Sequence, residues 1–468
     1  MISLNAALQM AAGALNADSQ AIGITGQNLA NQTTPGYAAQ VVEPKSDAFD
    51  LANGSAGGVS IDSGDTRSQY AEQAVWDQQS QTGQYQAFTD SASAVAQVMD
   101  LNDVTGSSGV LGSLSQLLQS FSSLPPSPDA TASQNAVIEN ATAFASSITS
   151  AAQTVQQTVT NAQSGAENAV SQINQLVGEV QQYNQQIADG VAPGATTQAQ
   201  AYAALESLSN LVPISTQVSS YGSISIMMNG GTPLLAGIQQ FNLQANLVGP
   251  ASGAAYPGGD PTLEIMDGQG QNVTNSITGG QLGGLINFVN NFAPTLIGNG
   301  SQQGVLNQLA QGVADSVNST LGGATPLFQY GSGDPTNVAL SLQVTPSYTS
   351  TDLSNALTAN PNAAAGLAKI GAGATPATQI NGENFGNFLS TAETNAASTI
   401  DAQQAGLSQS TTLLQQAQAN RTQIQGVSLD TESVNLIQYQ EAFQASAEVI
   451  SVINQMMTDA ENMLTVTA

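Results

Sequence analysis

Apolar residues recur every seven positions at both ends of the chain. Near the N-terminus these positions are Leu8, Leu15, Ile22 and Leu29. Near the C-terminus the seven-residue spacing returns at Leu436, Phe443, Ile450, Met457 and Leu464. Tyr439 and Ile453 occupy a second seam position between them. This pattern is typical of helices that pair in a coiled coil. We predict terminal helices in residues 1–37 and 427–468, with one-sided seams that stay in water until a partner covers them. Two amphipathic helices docked on a globular core are the alternative.

Between these ends the pattern changes several times. Over residues 137–187 apolar positions alternate at spacings of three and four, which predicts one or two long helices in a bundle. Short alternating runs at 223–227 and 261–266, bounded by Gly, Pro and Asn, predict strands. The run at 337–344 has the same character. Further helices are expected over 282–321 and 385–425.

The resulting fold class is multidomain α+β, with a nested order along the chain. Terminal helices form a coiled coil, residues 38–211, 280–325 and 378–426 form a long helical bundle domain, and residues 212–279 and 326–377 form β-rich inserted central domains.

The charge balance excludes some classes of partner. The chain has 468 residues, of which 4 are basic and 32 acidic, so the formal net charge is 4 minus 32, or -28. The basic residues are Lys45, Arg67, Lys369 and Arg421. Binding to nucleic acid or to anionic lipid depends on clustered basic side chains, so neither is expected as a partner.

The residue types needed for most catalytic and metal sites are missing. The chain contains no histidine and no cysteine, which removes imidazole bases, thiolate nucleophiles and the usual zinc, haem and iron–sulfur ligands. We expect no cofactor and no metal. Paired carboxylates remain an open route to glycoside hydrolysis, although Glu264, Asp267, Asp334 and Glu383 lie among turn residues. No basic segment followed by an apolar run opens the chain, and no apolar run reaches about 18 residues, so neither a Sec-exported precursor nor a membrane-spanning protein is expected.

A motif at the end of the first predicted helix resembles a known signature. In the run 28–37 the residues Asn28, Asn31, Pro35, Gly36 and Tyr37 match the Asn-x-x-Asn-x-x-Thr-Pro-Gly-Tyr pattern of flagellar rod, hook and hook-associated proteins. A Pro-Gly pair accounts for a helix stop on its own, but it does not account for the two spaced asparagines.

The run 426–447 is more specific. Its core Asn-Leu-Ile-Gln-Tyr-Gln, with Asn435, Gln438 and Gln440, resembles the hook-associated protein 1 family of hook–filament junction proteins. Ser428 or Asp430 can cap the following helix, and Glu432 lies in its first turn, where the helix dipole favours a carboxylate. Two features of the family are missing: a basic residue shortly after Tyr37, and an Asp-x-Arg-Asp element before Leu205.

The resemblance implies a structural protein and not an enzyme. Such a subunit is secreted through the flagellar type III apparatus with the help of an export chaperone, and assembles outside the cell as a helical ring between hook and filament. Its partners would be further copies of itself, the hook protein and the second hook–filament junction protein. A hook or distal-rod subunit is the nearest alternative, and an extracellular adhesin or hydrolase on a flagellar-type scaffold is a second.

Overall fold

The computed structural model describes residues 2–50, 55–101, 107–124, 130–256, 258–331 and 337–465. These residues form thirteen α-helices and twelve strands. The helices are α1 (Ile2–Asn31), α2 (Gln69–Met99), α3 (Gly109–Ser122), α4 (Thr131–Ala188), α5 (Ala195–Leu211), α6 (Gly280–Asn287), α7 (Ala293–Ile297), α8 (Val305–Leu321), α9 (Val338–Ser341), α10 (Ser350–Ala359), α11 (Ala363–Ile370), α12 (Phe385–Gln425) and α13 (Leu429–Thr465). The strands are β1 (Gln40–Asp50), β2 (Ser55–Asp65), β3 (Ile214–Val218), β4 (Ile224–Met228), β5 (Pro233–Ala236), β6 (Gln239–Gln240), β7 (Gln244–Val248), β8 (Thr262–Met266), β9 (Phe328–Gln329), β10 (Gln343–Val344), β11 (Gln379–Ile380) and β12 (Glu383–Asn384). The predicted fold class, multidomain α+β with terminal helices, a helical bundle and inserted strands, is confirmed, and the described residues are mainly helical with small sheets.

The two terminal helices run antiparallel and pack on each other within one chain. Asn28 near the end of α1 donates to Glu432 near the start of α13, at 3.0 Å. Farther along, the Ser446 hydroxyl donates to the Asp18 carboxylate at 3.1 Å. Residue numbers therefore fall along α1 as they rise along α13, which fixes the relative direction of the two helices.

A long antiparallel hairpin follows α1, within a range predicted to belong to the helical bundle. Its register runs from Gln40 opposite Asp65 to Asp50 opposite Ser55. The hairpin packs along α1, and the backbone at Gly13 comes close to the Val59 carbonyl, 3.7 Å from where a Cβ atom would lie. The sequence prediction missed this hairpin because charged and glycine residues break the alternation of apolar positions in both strands.

The bundle is organised around α4, a single helix of 58 residues. Its buried face is rich in alanine, including Ala141, Ala151 and Ala166, and small side chains let neighbouring helices approach closely. The helix α2 packs against α5, α6 and α12, and Phe88 in its second half contacts Phe288 and Phe292, with ring centroids of Phe88 and Phe292 5.4 Å apart. The helix α12 spans the predicted range 385–425.

The central sheet lies against α4 through paired asparagine contacts. Its strand order is β3-β4-β5-β6, and β7 pairs separately with β8. The Asn184 side chain accepts from the Ile224 amide at 2.8 Å and donates to the Ile224 carbonyl at 2.7 Å. Asn174 makes the same two bonds with Leu243, each at 2.9 Å. The side chains of Asn184 and Asn174 therefore form hydrogen bonds with backbone N–H and C=O groups that would otherwise need a neighbouring strand as partner.

The prediction that residues 326–377 are β-rich is wrong. The described part of this range is mainly helical, with α9, α10 and α11, and its strands β9 and β10 have two residues each. Thr349 and Asp352 form a capping box that starts α10. Within the predicted strand 337–344, the amide of Ala339 bonds to buried Asn307 at 2.8 Å, which holds a helical turn there. Tertiary contact overrides the β propensity of Val338. The division into domains stays a prediction.

We predict that Gly284→Ala destabilises the bundle. A Cβ atom at Gly284 of α6 would lie 2.2 Å from the Gln84 carbonyl oxygen of α2. Relieving that overlap separates the helices, which should lower the free energy of unfolding by about 2 kcal/mol or more, as measured by urea unfolding.

Gly178→Ala is the matched control. Gly178 lies inside α4, and its nearest neighbour, the Gln240 amide oxygen, would be at an ordinary 3.5 Å. This change should be neutral or stabilise the chain by about 0.5–1 kcal/mol. Equal unfolding midpoints for the two variants would show that the α2–α6 contact is not tight.

Candidate functional site at the base of the terminal helices

The predicted N-terminal seam lies beside the most deeply buried line of α1. Leu8, Leu15, Ile22 and Leu29 are each half-buried. The buried positions instead share small or polar side chains: Ala11, Ala17, Ala21, Thr25 and Asn28. The difference arises because α1 packs against both α13 and the β1–β2 hairpin, and small residues allow three elements to meet along one line.

The predicted C-terminal seam faces α1 of the same chain. Leu436, Tyr439, Phe443 and Ile450 are half-buried, Ile453 is 8% exposed and Met457 is 38% exposed. The side chain of Leu464 lies outside the described residues. Of the motif residues nearby, Asn435 is half-buried, whereas Gln438 and Gln440 are exposed. The expectation that the seams stay wet in the isolated chain is therefore wrong, since each helix covers the other.

A second apolar face of α13 remains exposed. It has two apolar groups, each residue about half exposed, between 49% and 57%: Val434 and Ile437, and, beyond Glu441 and Glu448, Val449, Val452 and Met456. The sequence prediction missed this face because it followed only the seven-residue repeat. The signal was present as a second apolar stripe on the same helix.

Asn28 of the motif is the centre of a buried polar junction. Its side chain is 1% exposed and makes four hydrogen bonds. The Nδ2 group donates to the Gln40 carbonyl at 2.9 Å and to Glu432 at 3.0 Å. The Oδ1 atom accepts from the Tyr37 hydroxyl and the Gln40 amide, both at 2.8 Å. The side-chain amide of Asn28 thus connects α1, β1 and α13, and all its donors and acceptors are hydrogen-bonded.

The rest of the motif shapes the turn after α1. Asn31 donates to the Gln27 carbonyl at 2.9 Å and accepts from the Thr34 hydroxyl at 3.1 Å. Pro35 is exposed, and Gly36 follows with φ of 73°. A Cβ atom at Gly36 would lie 2.3 Å from the Ala199 carbonyl of α5. Glycine is required at this position because its φ is positive and because no side chain fits against α5. The turn can therefore pack closely on the bundle.

A buried cluster of charges lies next to this turn. Glu72 near the start of α2 is 2% exposed. One carboxylate oxygen accepts from Arg67 at 2.6 Å and from Gln425 at 2.7 Å. The second carboxylate oxygen of Glu72 accepts from Arg421 at 3.1 Å, and Arg421 also binds Glu206 at 2.8 Å. Two of the four basic residues of the chain are thus bound to the Glu72 carboxylate.

Arg67 connects the charge cluster to the motif. Its guanidinium lies 3.6 Å from the centre of the Tyr202 ring and donates to the Gly36 carbonyl at 2.8 Å. The side chain is 4% exposed. Stacking on an aromatic face and a fixed fork of donors are properties of arginine that lysine lacks.

Gln425 at the end of α12 completes the connection. Its carbonyl accepts from the Ala39 amide at 2.9 Å, and its side-chain oxygen accepts from the Ser68 amide at 3.1 Å.

Sequence reasoning missed Arg67, Glu72, Arg421 and Gln425. Glu72 binds Arg421 and Gln425 across 349 and 353 residues of chain, whereas Arg67 lies only five residues from Glu72. The available signal was the rarity of basic residues.

Burial changes the acidity of two groups in the junction. Burial, and then the nearby Glu432 carboxylate, raise the pKa of Tyr37 to about 12. Burial also raises the pKa of Glu432, and the hydrogen bond from Asn28 opposes that shift in part. Ser428 caps α13, with the Thr431 amide 3.4 Å from its hydroxyl, so Glu432 lies in the first helical turn.

The acidic residues singled out in the sequence do not come together in the described part of the chain. Among them, no three acidic side chains are grouped in a way that could hold a metal ion. Asp267 accepts from the amides of Gln269 and Gln271 in a turn, Glu264 and Glu383 lie in strands, and Asp334 lies outside the described residues. No helix in the described ranges is long and apolar enough to span a membrane.

Comparison with known proteins gives matches to two flagellar families. Residues 95–327 match the model of the flagellar hook-associated protein FlgK helical domain. Residues 418–463 match that of the flagellar basal body rod FlgEFG protein C-terminal region. No curated protein sequence matches the chain.

One solved structure similar to this chain is the flagellar hook junction protein FlgK from Burkholderia pseudomallei. The sequence identity is 23% and the TM-score is 0.45. The match covers 55% of this chain and 47% of that chain, so this chain matches about half the length of the solved protein.

We predict that Glu72→Gln destabilises the base of the terminal helices. The neutral amide leaves two arginines without their shared buried counter-charge, which should cost about 3 kcal/mol or more. Trp76, the only tryptophan, is 2% exposed in α2 and stacks on Tyr202. Its fluorescence during urea unfolding therefore reports this region.

The control is Glu139→Gln, the same change at an exposed position of α4. It should leave the unfolding midpoint unchanged. If both variants unfold like the original chain, the carboxylate of Glu72 does not stabilise the junction.

We predict a pH dependence that originates at Glu432. Because its pKa is raised in the folded chain, the folded state binds a proton more tightly than the unfolded state. The free energy of unfolding should fall as pH rises from the ordinary carboxyl pKa through the raised value. Glu432→Gln keeps an oxygen for Asn28 and should remove that part of the slope.

Glu441→Gln, at an exposed position of the same helix, is the comparison variant. It should keep the slope of the original chain. Thermal unfolding across mildly acidic pH measures both. An unchanged slope in Glu432→Gln would assign the pH dependence to other carboxylates.

Proposed function

This chain belongs to the FlgK family of flagellar hook-associated proteins, and from that membership we propose that it joins the flagellar hook to the filament. A structural role in the flagellum, in assembly with other flagellar components, follows from the family. The position between hook and filament, and the surfaces that hold it there, are the proposal.

The observation that carries the proposal is the arrangement of α1 and α13. The two helices cover each other's seams, and the opposite face of α13, with Val434, Ile437 and Val452, stays exposed. Exposed apolar area of this extent on a helix favours packing against another protein. A subunit built in this way can add to a growing array without first unfolding.

The base of the helix pair supplies the mechanical connection. Forces on the terminal helices reach the bundle through Asn28, through the Gly36 contact with α5, and through Glu72 with its two arginines. We propose that this junction sets the angle between the helix pair and the bundle. The seam residues predicted from the sequence, from Leu8 to Met457, would then act first by holding α1 to α13.

The proposed partners are those of a junction subunit: further copies in a helical ring, the hook protein on one side and the second junction protein on the other. An export chaperone would accompany the chain to the flagellar type III apparatus, and the protein would function outside the cell. No catalytic step, cofactor, membrane or nucleic acid belongs to the proposed function. The whole mechanism is geometric, because one subunit shape must fit two neighbouring lattices.

The test of this function is the position of the labelled chain in isolated hook–basal bodies. We expect label in a thin zone at the distal end of the hook, and we expect cells lacking the protein to release filament subunits into the medium. Label along the hook would indicate a hook subunit, and label below it a distal-rod subunit. Label on the cell surface away from flagella would indicate an adhesin or hydrolase.

Val452→Asp tests the exposed face of α13 in the same cells. The chain itself leaves this side chain 54% exposed, so its thermal unfolding should not change. Burying the new carboxylate in an assembly contact is unfavourable by several kcal/mol, so incorporation and swimming should be lost. Val191→Asp, at a position 56% exposed beside the bundle, is the matched control and should swim normally.

A further inference from the structure

A cavity of about 520 Å³ lies between the first half of α12 and the segment that joins α6 to α7. Buried apolar side chains form its floor, among them Phe292, Leu296 and Phe388. Its rim carries four carboxamides, at Asn287, Asn291, Asn381 and Asn395. Small-molecule sites in proteins are concave and mostly apolar, have volumes of about 300–1,000 Å³, and contain a few polar groups that orient the ligand. The cavity has each of these features.

A π-helical turn forms one wall of the cavity. It spans Phe288–Phe292 between α6 and α7, and both of its phenylalanines pack on α2. Asn290 in this turn binds the N–H and C=O groups of Leu263 in β8, each at 2.8 Å. At the cavity, the Asn291 amide donates to the Asn287 side-chain oxygen at 2.9 Å. Turns of this type are rare, and many of them lie at functional sites.

The β11–β12 turn contributes a second part of the rim. Ile380 pairs with Glu383, so Asn381 and Gly382 are the two central residues of a tight hairpin turn. Both have positive φ, 54° and 83°, and Asn-Gly is the preferred sequence for a two-residue turn of this kind. The turn therefore holds Asn381 and Glu383 at the cavity in a fixed backbone conformation.

The hydrogen-bonding groups of the rim are mostly free for a ligand. Among the described residues, the side chains of Asn381, Asn395 and Glu383 bond no other protein group, and those of Asn287 and Asn291 bond only each other. Each carboxamide offers two N–H donors and an oxygen acceptor. A ligand that fits this rim must therefore present donors and acceptors side by side.

The charge of the lining limits the class of ligand. Glu383 is the single charged residue among the described residues that line the cavity, and it is exposed. An anionic ligand would meet a carboxylate with no cation beside it, in a chain of net charge -28. A single exposed carboxylate also binds a cation only weakly. A neutral ligand is favoured over both.

We propose that this cavity binds a short neutral saccharide. A sugar hydroxyl donates and accepts, as the carboxamides of the rim do. The C–H groups on the face of a sugar ring are apolar and can lie against the floor, where their contact with water is lost. The inference does not depend on the position of the subunit in the flagellum, and the purified full chain is sufficient to test it.

Saturation-transfer NMR with defined sugars is the test. The probes are the methyl glycosides of glucose, galactose, mannose, N-acetylglucosamine and N-acetylgalactosamine, with N-acetylneuraminic acid as an anionic probe and choline as a cationic probe. We expect saturation to reach at least one neutral glycoside, most strongly at the C–H protons of one ring face, and to reach neither charged probe.

The double variant Asn381→Gly, Asn395→Ala assigns the binding to the cavity. Glycine accepts the positive φ of the turn, and alanine favours the helix at an exposed position of α12, so thermal unfolding should stay close to that of the original chain. Loss of the two carboxamides should weaken sugar binding about tenfold or more. Asn420→Ala, at an exposed position of the same helix outside the cavity, is the matched control and should bind as the original chain does.

Three results would overturn the proposal. Absence of saturation transfer to all five neutral glycosides would show that the cavity is not a sugar site. Equal sugar binding by the double variant and by Asn420→Ala would place the contact elsewhere on the chain. Choline binding without sugar binding would identify the cavity as a site for organic cations.

Discussion

The buried carboxylate of Glu72 is the interaction on which the arrangement of the chain ends depends. It accepts from Arg67, Arg421 and Gln425, and so holds the segment before α2 to the end of α12. Removing a carboxylate from water costs several kcal/mol unless charged and polar partners replace the water. Here three partners do so. The site is therefore stable only when both ends of the chain have reached the bundle, which couples their positions.

Asn28 fixes a second quantity, the register of the helix pair. A seam lined by Ala11, Ala17 and Ala21 packs closely but discriminates weakly between neighbouring registers, because each alanine resembles the next. A buried amide with four specific partners is different: a shift of one helical turn would leave its polar groups unsatisfied. Polar residues at single seam positions specify register in coiled coils in the same way.

Sequence reasoning found the elements whose information is local. The repeats predicted both terminal helices, α4 and α12, because periodicity is written in neighbouring residues. Sequence reasoning failed for elements whose conformation depends on tertiary contacts. The β1–β2 hairpin has little alternation of its own and is held along α1, and the helical turn of α9 depends on Asn307. Within the candidate site, Asn28, Gly36 and Tyr37 could be singled out from the motif. Glu72 and Gln425 could not, because they bind each other across 353 residues of chain, and Arg421 binds Glu72 across 349.

The use of so few cations limits how copies of this chain can associate. Arg67 and Arg421 are committed to the internal cluster, which leaves Lys45 and Lys369 as the remaining basic residues against a net charge of -28. Ion pairs between subunits can then contribute little, and two copies repel each other over the range set by the salt concentration. Apolar area and close backbone approach would then be the main sources of attraction in any contact between copies. The same scarcity explains why the internal junction relies on amides as much as on ions: Asn28 and Gln425 satisfy buried groups without adding charge to an already strongly acidic chain.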